Sequence, residues 1–106
     1  MFNVKAWLAA AGEPVEETAY IPDDASELPY ILYSDYVTRL GGDVRNLGYS
    51  HSVTVERYSD VRDDNPALEQ LFDDKALKYE KDRVWLSEEE CFMTIYQFEF
   101  LESEVI

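Results

Sequence analysis

The sequence predicts an α+β domain, with two main helices packed on a mixed or antiparallel sheet of about four strands. Three observations carry this. Apolar residues recur at helical spacing near 3–11 and 66–77. Four other stretches, 30–37, 47–59, 78–86 and 91–101, are rich in β-branched and aromatic residues. The composition, 46% hydrophobic and 14% aromatic over 106 residues, supplies one ordinary core, so residues 1–106 are read as a single domain.

Each element follows from local chemistry. Val4, Trp7, Leu8 and Ala11 fall at i, i+3, i+4 and i+7, one helical face, with Asn3 as the N-cap and Gly12 as the stop. Three prolines and six acids between Glu13 and Pro29 predict an irregular connection, with one short strand at Thr18–Ile21. "YILYSDYV", 30–37, reads as a strand, and Gly41-Gly42 as the turn after it. In 47–59, Tyr49, His51, Val53, Val55 and Arg57 share one face. The two strands are expected to form a hairpin with a protruding tip.

Asn65 caps the second helix, Pro66 takes its first position, and Leu68, Leu71 and Phe72 face inward. The stretch 78–86 is the next strand. In 91–101, Phe92, Thr94, Tyr96, Phe98 and Phe100 share a face, while Cys91, Met93 and Ile95 make the other face apolar too. A strand apolar on both faces is central, or has a second surface to cover. Trp7, Leu8, Leu68, Leu71, Phe72, Tyr96, Phe98 and Phe100 are expected in one core.

Charge narrows the function. With 23 acids against 9 bases the net charge is −14. Such a surface repels phosphate, so no direct binding to nucleic acid or anionic membrane is expected. No run approaches the ~18 apolar residues of a membrane span. "MFNVKAWLAAAGEP" lacks the basic and long apolar regions of a signal peptide. The single cysteine, Cys91, excludes an internal disulfide.

No constellation of residues points to catalysis, and neither an enzyme nor a cofactor is expected. His51 is the sole histidine and Cys91 has no partner at metal-ligand spacing, so no metal site is expected. A Cys91–His51 nucleophile pair is disfavoured because Glu88, Glu89 and Glu90 raise a nearby thiol pKa. "DVRDDNPALEQ" has an arginine at the third position and no glycine at the sixth, and fails the calcium-loop pattern. On a strand face with Val53 and Val55, His51 reads as a partly buried, hydrogen-bonded side chain. By contrast, residues 30–59 balance three acids with three bases, the one neutral part of the chain.

"LPYILYSDY", "GGDVRNLGYSHSVTVERYSD", "NPALEQLFDDKALKYEKDRVWLSEE" and "CFMTIYQFEF" together resemble the tail terminator, or tail-completion, proteins of phages and prophages of Gram-positive bacteria. The positions that carry the likeness are Pro29, Tyr30, Asp43, Asn46, His51, Val55, Glu56, Tyr58, Tyr96 and Phe98. It covers roughly residues 28–101, and the acidic connection before them departs from the pattern. The resemblance implies a tail-terminator-like fold and a virion protein made in the bacterial host cytoplasm. Such a protein assembles into a ring, a hexamer, that ends the tail tube and joins it to the head. Its partners are then itself, the tail tube protein and a head-side connector. With the local charge neutrality, the resemblance makes the 39–57 region a contact surface: Arg39, Gly41, Gly42, Asp43, Arg45, Asn46, His51 and Arg57 are its candidate residues. A competing reading takes the acidity alone and makes the chain a DNA mimic that inhibits a host defence or DNA-binding protein. Layout separates the two. A mimic needs carboxylates along one continuous face, and a ring subunit needs two dissimilar patches that meet head to tail.

Overall fold

The alternation through Val53 and Val55 turns one side of its strand inward, and the sheet is arranged around that strand. The computed structural model describes residues 2–18, 27–41 and 46–103. In chain order it holds α1 (Val4–Ala9), β1 (Val15–Glu17), β2 (Tyr30–Gly41), β3 (Asn46–Ser59), α2 (Pro66–Asp74), β4 (Glu80–Leu86) and β5 (Cys91–Ser103). The strands form one mixed sheet in the order β1-β2-β3-β5-β4. β1 runs parallel to β2, and the other pairs are antiparallel. The α+β class holds, with a fifth strand and with helices shorter than expected.

The helix ends have local causes. Asn3 Oδ1 accepts the Ala6 N–H (3.0 Å), and Asn65 Oδ1 accepts those of Ala67 and Leu68 (3.0 and 3.1 Å). Both caps satisfy amides that have no partner inside their helix. α1 stops short of 11 as the chain turns toward Gly12, whose φ of +84° suits glycine. α2 stops at Asp74 rather than 77 because Ala76 takes a positive φ and the Leu77 N–H folds back onto the Phe72 carbonyl. A short strand lies at Val15–Glu17; of the expected Thr18–Ile21, Thr18 follows that strand in a turn and residues 19–21 lie outside the described residues. The strand pairs as soon as Pro14 is passed: the Pro14 carbonyl accepts the Ile31 N–H (2.8 Å), and buried Val15 lies beside Ile31. β2 runs beyond residue 37 because Thr38, Arg39 and Leu40 each find a partner on β3. Ladder pairing there overrides weak strand propensity.

Both helices lie on one face of the sheet. Val4, Leu8, Leu68 and Phe72 pack there against Ile31, Tyr33, Val53, Val55, Tyr96 and Phe98. Of the expected core, Leu8, Leu68, Phe72, Tyr96 and Phe98 are buried, while Trp7, Leu71 and Phe100 are partly buried at its border. Phe72 sits among the rings of Trp7, Tyr79, Tyr96 and Phe98, with centroids 5.0–5.7 Å away. β5 is paired on both sides, as its two apolar faces require.

The sheet has two halves. β1 pairs only with Ile31–Tyr33, and β4 only with Cys91–Gln97. Beyond those residues β2, β3 and β5 continue alone as a three-stranded extension toward the hairpin tip, ending near Gly48↔Ser103. Among the described residues, no strand pairs with the outer edge of β2 after Tyr33 or of β5 after Gln97.

Leu68→Ala should lower stability by about 2–5 kcal/mol, because it empties a fully enclosed site. Leu71→Ala, at the border, should cost distinctly less. Urea unfolding of both variants checks the helix register, which would be wrong if the order were reversed.

Candidate interaction surface

The contact residues inferred from sequence divide into three groups. Arg39 and Gly41 are exposed on the outer half of β2. Gly42, Asp43 and Arg45 lie outside the described residues, and Asn46 opens β3 opposite Gly41. His51 and Arg57 are turned inward, with 0% and 4% exposure, so neither presents its side chain to a neighbour. Both sit on the strand face of Val53 and Val55, and that face is the core.

His51 is held between two carboxylates. Its Nδ1 is 2.9 Å from Asp35 Oδ2 on β2, and its Nε2 is 3.0 Å from Glu102 Oε2 on β5. The ring lies flat on Phe100, 4.5 Å between centroids and 5° between planes. A carboxylate on each nitrogen requires a proton on each, so the ring is an imidazolium. Burial opposes that charge, but the hydrogen bonds and charges of Glu102 and Asp35 outweigh it and raise the pKa above 6.5. The bond to His51 holds the Glu102 carboxyl below its ordinary range. Glu102 also accepts the Phe2 N–H, so the same carboxylate ties the N-terminal segment to the sheet extension. Asp35 and Glu102 lie on opposite sides of the ring, one per nitrogen. The geometry fixes three strands to one another.

Arg57 does the same at the other end of the sheet. Nε and Nη2 donate to the two oxygens of Glu13, both at 2.9 Å, and Nη1 donates to the carbonyl and Oδ1 of Asp63, both at 3.1 Å. The fork makes its charge-assisted bonds in a parallel pair, the strong geometry for a guanidinium. The network continues through Arg83, which bonds the Asp63 carbonyl, Asp64 and Thr94 Oγ1. Lys81 joins Asp64 (2.9 Å) to Glu69 (2.7 Å), and the Tyr96 hydroxyl donates to Glu69 (2.6 Å). Burial and Glu69 push the Tyr96 phenol far up, so it remains a donor. At Cys91, burial first and Glu89 second raise the thiol pKa, which disfavours the thiolate.

Two surfaces were not singled out from sequence. The sheet face away from the helices carries Tyr30 stacked on Tyr58 (4.9 Å, 19°), with Met93, Ile95 and Val84 beside them. No described helix covers it. The two apolar faces of 91–96 were its signal. The second surface is the pair of strand edges that no described strand covers, where the exposed large residues Tyr36 and Leu101 stand. Among the described residues no helix is long and apolar enough to cross a membrane.

Arg57→Leu should destabilise by on the order of 3 kcal/mol, since it leaves Glu13 enclosed without its cation, while half-exposed Asp63 rehydrates. Urea unfolding checks this, and a loss within 0.5 kcal/mol, the usual scale of a surface change, would contradict it. His51 makes stability fall with alkali. Its folded pKa is raised, so its contribution is complete below 6.5 and is lost as pH rises through the folded value. Glu102 acts oppositely: its contribution is present above about 4.5 and lost as pH falls through its lowered value. Unfolding midpoints between about pH 5 and pH 8 should therefore fall in the wild type and fall less in His51→Gln. Parallel profiles would mean that His51 is neutral. Comparison of the chain with protein families, with characterised proteins and with solved structures gives no match.

Proposed function

We propose that this chain is a structural component of a phage or prophage tail, which assembles as a ring that ends the tail tube and joins it to the head. The resemblance across residues 28–101 supplies the identity of the assembly. The observation that carries a contact role is the sheet itself. One face is sealed by two helices, while the other presents Tyr30, Tyr58, Met93, Ile95 and Val84 with no described helix over them. A chain of net charge −14 has little need of half-exposed aromatic and aliphatic side chains on a face without a described helix unless another protein surface meets them. The DNA-mimic reading draws on the charge alone. Several of the acids it would use, Glu13, Asp63, Asp64 and Glu69, are already joined to Arg57, Lys81 and Arg83.

Like-charged subunits repel at low salt, and the Debye length falls from ~10 Å at 0.1 M to ~3 Å at 1 M. Sedimentation velocity should show association increasing across that series. With purified tail tubes, negative-stain microscopy should show rings on tube ends. The reading fails if tube ends stay bare at every salt concentration. Inhibition of a DNA-binding enzyme by the isolated protein, relieved by added DNA, would favour the mimic instead.

A further inference from the structure

We propose that copies of this chain join edge to edge, the outer edge of β2 in one copy laid in parallel along the outer edge of β5 in the next. This rests on the self-assembling reading above and specifies its seam. Among the described residues the two edges lack a neighbouring strand at the same end of the sheet: β2 beyond Tyr33, and β5 beyond Gln97. β3 is antiparallel to both, so β2 and β5 run in the same direction. A second copy placed alongside without inversion therefore continues the sheet as β2-β3-β5 followed by β2-β3-β5. A strand edge without a neighbour offers backbone donors and acceptors, a ready template for another strand.

Side chains make these edges complementary to each other. Tyr36 and Leu101 are the most exposed large apolar residues described, at 74% and 72%. Tyr36 stands in the row of Ser52 and Glu99, and Leu101 in the row of Thr38 and Ser50, so both project from the same sheet face. They stand on opposite edges, too far across the extension to cover each other. At a seam they come onto one face beside it, where each removes apolar surface of the other from water. The β2 edge also presents Arg39, an exposed cation with no ion-pair partner among the described residues. Because the edges differ, the contact is head to tail and is closed by a ring rather than by a two-fold pair.

Thiol cross-linking of mixed variants tests the seam. In a Cys91→Ala background, one chain carries Tyr36→Cys and a second, distinguishable by a tag, carries Leu101→Cys. The mixture is linked with a short bifunctional thiol reagent at high salt. The expected product joins the two kinds of chain, while either variant alone gives little. A chain carrying both substitutions should give a ladder that ends in a closed species. Leu101→Asp, at an exposed position, should weaken self-association by about tenfold or more with an unchanged unfolding midpoint. Products that join like with like would overturn the seam, as would associated protein that never links 36 to 101. Absence of association, both in solution and on tail tubes, would also overturn it. Linked rings that ignore tube ends would keep the seam and remove the tail. Rings on tube ends without the 36–101 link would do the reverse.

Discussion

Arg57 is enclosed on the strand face that also carries Val53 and Val55, and a buried guanidinium must be met by charge on every side it presents. That requirement organises one end of the molecule. Glu13, just after α1, supplies the bidentate partner, and Asp63, just before α2, supplies the third contact. Both helices are thereby brought to the same end of β3. Asn65 adds a second tie: while its oxygen caps α2, its amide donates to the Ala11 carbonyl at the end of α1 (3.2 Å). One cation and one cap fix how the helices sit before apolar packing sets their depth.

His51 repeats the arrangement at the other end of the core. Inward-facing Asp35 and Glu102 would be costly if left ionised without a partner. An imidazolium between them satisfies both and leaves the flat of its ring to Phe100. The residue marks where the helix-covered half of the sheet gives way to the bare extension. It also explains how three strands remain in register there without β1 or β4 beside them. Two basic side chains on one face of β3 thus bracket a short run of valines, and each gathers acids from elsewhere in the chain.

Much of this was legible. The caps Asn3 and Asn65, the proline at the start of α2, the shared face of alternate residues along β3 and the two-sided apolar character of β5 follow from spacing. The boundaries moved where ladder pairing or a positive φ prevailed over propensity, at Thr38–Gly41 and Ala76. The partners of the inward charges were out of reach, since Glu13 lies 44 positions from Arg57 and Glu102 lies 51 from His51. Parity placed His51 and Arg57 on one face with Val53 and Val55, and burial makes that face the core. Local charge neutrality drew them toward the contact surface instead, although an arginine in line with two valines is better placed to anchor than to greet a partner. Arg39 escapes that correction because it stands on the outer half of β2.

The use of the cations shapes what any assembly can rest on. Lys5, Arg57, Lys81 and Arg83 are engaged within the protomer, and Lys75 lies over the Phe2 ring, 4.4 Å from its centroid. Few basic groups are left to offset the acids between molecules, so the long-range field between copies is repulsive. Attraction must then come from forces that act at contact. Backbone pairing along an open strand edge and burial of apolar side chains are of that kind, and salt leaves them largely intact while it screens the repulsion. The extension carries Tyr36 and Leu101, the most exposed large apolar residues described, beside such edges. A strongly acidic protein can in this way remain dispersed when alone, and any joining of its copies would rest on contact forces that salt leaves intact.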